Sequence, residues 1–116
     1  MLTIKANKLS LIKKEFNSAF PYLKLEFFKE RHDLNKGNHR NQLIKEDLLL
    51  KPLKTNTSNI EVDENMPVSV LEELFNQLYG VSVQVFRKSG KIWLETTVTD
   101  DWTLKKQNEE GKELST

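Results

Sequence analysis

Val81–Val98 reads VSVQVFRKSGKIWLETTV, two alternating runs on either side of a Ser-Gly break, and this hairpin signal decides the fold class. Val81, Val83 and Val85 alternate with Ser82, Gln84 and Phe86, and Ile92, Leu94 and Thr96 alternate with Trp93, Glu95 and Thr97. With Ser89 and Gly90 as the two loop residues, Lys88 faces Lys91, Arg87 faces Ile92, Phe86 faces Trp93 and Val85 faces Leu94. One face is then aliphatic and the other carries an aromatic pair among polar neighbours. A four-residue turn over 88–91 relieves the repulsion of the two lysines and leaves the faces unchanged.

Immediately upstream, Val68, Leu71, Leu74, Phe75 and Leu78 recur at helical spacing between Pro67 and Gly80, a start and a stop. Ser69 and Glu72 stand at capping-box spacing. Before this helix, Ile60 and Val62 alternate with Glu61 and Asp63 as a short strand.

The N-terminal third repeats the design. Leu2, Ile4 and Ala6 mark one face of a strand over Thr3–Ala6. A helix from Ser10 to Phe20 uses Leu9, Ile12, Phe16, Ala19 and Phe20, and Pro21 stops it. Tyr22–Lys29 follows as a strand with Leu23, Leu25 and Phe27 inward and Lys24, Glu26 and Phe28 outward. Leu9–Ile12, Phe16-Asn17 and Phe20 lie over Val68–Leu71, Phe75-Asn76 and Tyr79 at an offset of 59 residues, and a one-residue gap brings Phe28 onto Phe86.

A βαβ unit written twice, with a fifth strand added, predicts an α+β, ferredoxin-like two-layer sandwich: βαβ–βαββ, one antiparallel sheet ordered 5-4-1-3-2, both helices on one face. The domain spans residues 1–99. Residues 30–58 form a long basic connection, within which Leu43–Leu53 offers a short helical turn capped by Asp47 that sets Leu50 and Leu53 against the core. Residues 100–116, DDWTLKKQNEEGKELST, form a polar C-terminal tail with room for a short helix over Leu104–Glu110. Only Trp102, Leu104 and Leu114 could bury anything there, so the tail is expected to be exposed, with Trp102 folded back over Trp93.

Composition bounds the function more than it defines it. At 116 residues, 37% hydrophobic and 30% charged, the chain fits one core and is too apolar for global disorder. No cysteine is present, which excludes disulfides, thiolate metal sites and cysteine nucleophiles. No apolar run approaches about 18 residues, and the N-terminus lacks the order of a secretory signal, so a cytoplasmic location without membrane contact is expected. A net charge of +1 conceals +6 over residues 1–54 and −5 over 55–116.

Catalytic constellations are absent from the sequence. His32 and His39 flank Asp33 in the polar stretch HDLNKGNHR without a recognised ligand spacing, and no nucleophile elbow, phosphate loop or dinucleotide fingerprint is present. The acidic pairs Glu72-Glu73, Asp100-Asp101 and Glu109-Glu110 read as solvated faces. No catalytic residue, metal or cofactor is assigned, and an enzyme is the third reading. The first is a non-enzymatic protein-interaction or self-associating module using the open sheet face, with Phe86, Trp93, Arg87, Lys88, Lys91 and Trp102 as candidate partner-binding residues. The second is nucleic-acid binding through the basic hairpin tip and loop, which the central outward residues Thr3, Lys5, Glu61 and Asp63 argue against, since stacking aromatics belong there.

Three stretches, FPYLKLEFF at 20–28, VFRKSG-W-TT at 85–97 and TDDWTL-QN at 99–108, resemble a family of small bacterial proteins of about this length. The resemblance implies a stand-alone single domain and brings no activity, cofactor or catalytic residue with it.

Overall fold

A computed structural model describes residues 2–29, 43–53 and 59–115. The elements run β1 (Leu2–Ile4), α1 (Leu9–Ala19), β2 (Leu23–Phe28), β3 (Ile60–Val62), α2 (Val68–Tyr79), β4 (Ser82–Ser89), β5 (Ile92–Glu95) and α3 (Leu104–Ser115). Among the described residues, three helices and two antiparallel sheets make an α+β fold compatible with a two-layer sandwich.

The sheet order departs from 5-4-1-3-2. β1 pairs with β3 and β4 with β5, as expected, but the second neighbour of β4 is β2, giving a two-stranded sheet β1-β3 and a three-stranded sheet β2-β4-β5. Strand length explains the choice. β1 and β3 have three residues each, too few to hold the centre of a five-stranded sheet, whereas β2 and β4 match over six consecutive pairs, from Leu23 opposite Arg87 to Phe28 opposite Ser82. The ferredoxin-like arrangement is therefore not the one these strands form.

The pairing brings like to like. In the first ladder Thr3 lies opposite Glu61, and in the second Glu26 lies opposite Gln84. Both pairs are 58 residues apart, the offset that also carries β1 onto β3. Each strand of the first half thus pairs antiparallel with its own counterpart in the second, an internal two-fold relation at each ladder.

On β2 and β4, alternation sends Leu23, Leu25, Phe27, Val83 and Val85 to one side, where all five are fully buried. There they meet Ile12, Phe16 and Phe20 from the α1 side and Val68, Leu71 and Phe75 of α2. Phe27 meets Phe75 edge to face, with ring centroids 5.6 Å apart. Gly80 ends α2 at φ +67°, a conformation only glycine takes without strain, and its N–H donates to the Asn76 carbonyl at 2.8 Å.

Helix starts are satisfied from afar. Ser69 and Glu72 form no capping box; the Val68 and Ser69 N–H groups donate instead to the carbonyls of Trp102 (3.0 Å) and Asp100 (2.8 Å). Asp47 caps no helix of its own segment, because 43–53 forms no helix and instead runs irregularly, bridging Phe28 through Leu43 and Lys8 through Leu49. It caps α1: Ser10 donates its N–H to Oδ1 at 2.9 Å and its hydroxyl to Oδ2 at 2.8 Å. These two bonds, the backbone one foremost, hold the Asp47 carboxyl below its ordinary pKa, with Lys8 at 3.6 Å adding to the effect. Leu50 is buried as expected, while Leu53 is exposed.

Residues 100–115 are not the loose tail their polarity suggests. α3 packs at the hairpin end of β4 and β2, with Leu104, Gln107 and Gly111 buried and Thr103 capping it through the Lys106 N–H at 3.1 Å. A Cβ on Gly111 would lie 2.9 Å from Cβ of Tyr22, so this glycine lets the helix approach the sheet closely. Gln107 donates to the carbonyl and hydroxyl of Thr99, both at 2.8 Å, and accepts from Arg87 Nη1 at 2.9 Å.

Candidate functional site

The face of β2-β4-β5 turned away from α1 and α2 carries Lys24 and Glu26 from β2, Phe86 from β4, and Trp93 and Glu95 from β5. The hairpin register differs by a slide from the expected one. Gly90 and Lys91 are the loop residues, Ser89 lies opposite Ile92, Lys88 opposite Trp93 and Phe86 opposite Glu95. Gly90, at φ +63°, supplies the positive dihedral that a tight hairpin needs at its first loop position. The slide also separates Lys88 from Lys91. Because it moves β5 by two residues, Phe86 and Trp93 keep the same face, now as diagonal neighbours.

Lys24 lies opposite Phe86 across the β2-β4 ladder. Its ammonium sits 5.5 Å from the Phe86 ring centroid and 5.1 Å from that of Trp93, so one cation is shared by two aromatic faces. Around this cluster, Glu26, Phe28, Leu43, Lys45, Leu94 and Glu95 complete an open groove of about 540 Å³. Glu26 is held by Lys13 of α1 at 3.6 Å. Phe28, read as outward, is buried: the 43–44 segment crosses the edge of β2, with the Ile44 N–H donating to the Phe27 carbonyl at 2.8 Å.

The six candidate residues divide into two groups. Phe86, Trp93 and Lys88 share the open face, and Lys91 is exposed at the turn. Arg87 belongs by alternation with Val85 and Leu23 on the helix side, where it bonds Gln107 and stands 5.7 Å from the Trp102 ring. Lys106 Nζ lies 4.1 Å from the same ring. Trp102 thus folds back onto the domain beside Arg87 and α3, and Trp93 has Lys24 beside it. Lys24 escaped the sequence reading because its position opposite Phe86 depends on the unexpected β2-β4 pairing.

Glu72, read as solvated, is buried on α2 and accepts from the Val85 N–H at 3.4 Å. Burial raises the Tyr79 hydroxyl above its ordinary pKa. Among the described residues, no group of three or more acidic or imidazole side chains could hold a metal ion, and no helix is long and apolar enough to cross a membrane. His32, Asp33 and His39 lie outside the described residues.

No family model, curated protein or solved structure matches the chain. Three stretches of the sequence, 20–28, 85–97 and 99–108, meet in the fold. They converge: Lys24 of the first meets Phe86 and Trp93 of the second, while Gln107 and Trp102 of the third hold Arg87, and Asn108 accepts from the Tyr22 N–H at 2.9 Å.

Proposed function

We propose that the protein is a non-enzymatic protein-interaction module that self-associates through the open face of β2-β4-β5. The carrying observation is the Lys24 ammonium shared by Phe86 and Trp93 in a groove open to solvent. Aromatic rings that remain partly exposed, aligned by a cation and rimmed by Glu26, Lys45 and Glu95, are the composition of a contact site with an apolar centre and a charged rim. Mixed rim charges suit a protein surface better than a polyphosphate one, because Glu26 and Glu95 would oppose phosphate. Arg87 is already committed to Gln107, which leaves Lys88 and Lys91 as the tip's free-facing basic residues and weakens the nucleic-acid reading.

Replacing Phe86 and Trp93 together by Ala tests the proposal. Self-association measured by light scattering is expected to weaken by about tenfold or more, the size of a loss at a contact centre, with the far-ultraviolet circular dichroism retained. Unchanged association in the double variant would contradict it. A salt-dependent shift with single-stranded RNA, lost on Lys88→Ala with Lys91→Ala, would favour nucleic acid instead.

A further inference from the structure

We infer that a second copy of this chain adds antiparallel along β5 about a two-fold axis through Trp93; the inference rests on the self-association proposed above and assigns it a contact along the sheet edge that borders the open face. β5 is the outer strand of its sheet, bonded to β4 on one side. The opposite border of the sheet is crossed by the 43–44 segment, through the bridge of Phe28 with Leu43. The border formed by β5 has no such cover among the described residues. It also lacks the proline or inward charge that usually guards an edge, and it exposes Ile92 (58%) and Leu94 (39%).

The direction of the backbone groups follows from the hairpin. Thr96 donates its N–H to the Val85 carbonyl at 3.2 Å, and Ser89 closes the two-residue turn against Ile92, so the even-numbered residues 92, 94 and 96 bond toward β4. Trp93 and Glu95 therefore point their N–H and C=O groups outward, in the spacing a further antiparallel strand needs.

One register uses every side chain of the strand. A two-fold perpendicular to the sheet keeps each face continuous, so residues of like parity must pair. With Trp93 opposite the second copy's Trp93, the loop residue Lys91, next to the first residue of β5, comes opposite Glu95 and Glu95 opposite Lys91, two opposite-charge pairs flanking the rings. On the other face, Ile92 lies opposite Leu94 and Leu94 opposite Ile92, burying both exposed aliphatics. A shift by two residues in either direction breaks both charge pairs and offsets the rings. The strand is thus self-complementary in charge, shape and hydrogen bonding at one alignment, as an isologous contact requires. The result is a continuous six-stranded sheet across two chains.

The test is a charge swap in the full-length chain, read by sedimentation velocity, with circular dichroism to check the fold. Lys91→Glu places like charges opposite each other at both symmetric pairs and is expected to weaken dimerisation about tenfold. Adding Glu95→Lys to the same chain restores opposite charges and is expected to bring the dissociation constant back to within about threefold of the natural chain. Recovery in the double variant supports this register, because simple loss of a lysine would not be mended by adding one elsewhere. A dimer indifferent to Lys91→Glu, or one not recovered by the swap, overturns the β5 pairing while leaving the open-face proposal standing. A natural chain that stays monomeric at every concentration overturns both.

Discussion

Asp47 shows how a residue can be recognisable in type and unreadable in partner. A carboxylate among Leu43–Leu53 is a natural helix cap, but the helix it caps is α1, 37 residues earlier, through the N–H and hydroxyl of Ser10. The α1 cap position itself is Lys8, which supplies no side-chain acceptor. Because the Asp47 pKa is lowered in the folded state, its stabilisation is complete above the ordinary carboxylate value and is lost as the pH falls through the lowered one. Asp47→Ala is therefore expected to lower the Tm near about pH 7, with the gap from the natural chain closing below about pH 4 as the natural chain's Asp47 is protonated. Thermal melts across that range check it. A gap that persisted unchanged in acid would show that the carboxylate charge is not what Asp47 contributes. Lys24 is the same lesson at the site: its outward position follows from alternation alone, but its two aromatic partners follow from which strands meet.

Among the elements, α1, α2 and both hairpin strands are legible because each buries an apolar face whose period, 3.6 or 2, is written in the sequence. Alternation fixes faces and says little about neighbours, which is why the β2-β4 ladder and the slide of β5 are not legible. α3 is legible only as a short helix over Leu104–Glu110, and its docking is hidden for a different reason. It docks through hydrogen bonds and a glycine: Gln107 joins Arg87 to Thr99, Asn108 receives Tyr22, and Gly111 lets the backbone approach. A helix held this way has no apolar stripe to recognise. Its attachment is nonetheless costly to break. Gln107→Ala would take the acceptor from the part-buried Arg87 Nη1, while the Thr99 carbonyl keeps its bond from the Trp102 N–H, and roughly 1–3 kcal/mol of stability is expected to be lost. Urea denaturation measures it; a change under about 0.5 kcal/mol, the scale of an ordinary surface substitution, would mean that α3 does not depend on this bridge.

At the scale of the molecule, the repeat read as two βαβ units becomes a pairing rule. β1 meets β3 and β2 meets β4, each strand against its counterpart 58 residues on, so the halves complete each other's ladders. Among the described residues, β5 and α3 have no counterpart in the first half and break that symmetry. They supply what the repeat lacks: α3 covers the hairpin end of the helix side, and β5 brings Trp93 to Lys24 while presenting an outward edge. The aromatic open face is readable from the hairpin, and the contact inferred along β5 extends the same antiparallel pairing from within one chain to between two. Sedimentation velocity of the intact natural chain, from about 10 μM to about 1 mM, tests this most directly, since a contact worth as little as about 4 kcal/mol is half-formed near the upper limit. The weight-average mass is expected to rise with concentration from that of one chain toward that of two. A mass equal to one chain throughout would contradict it.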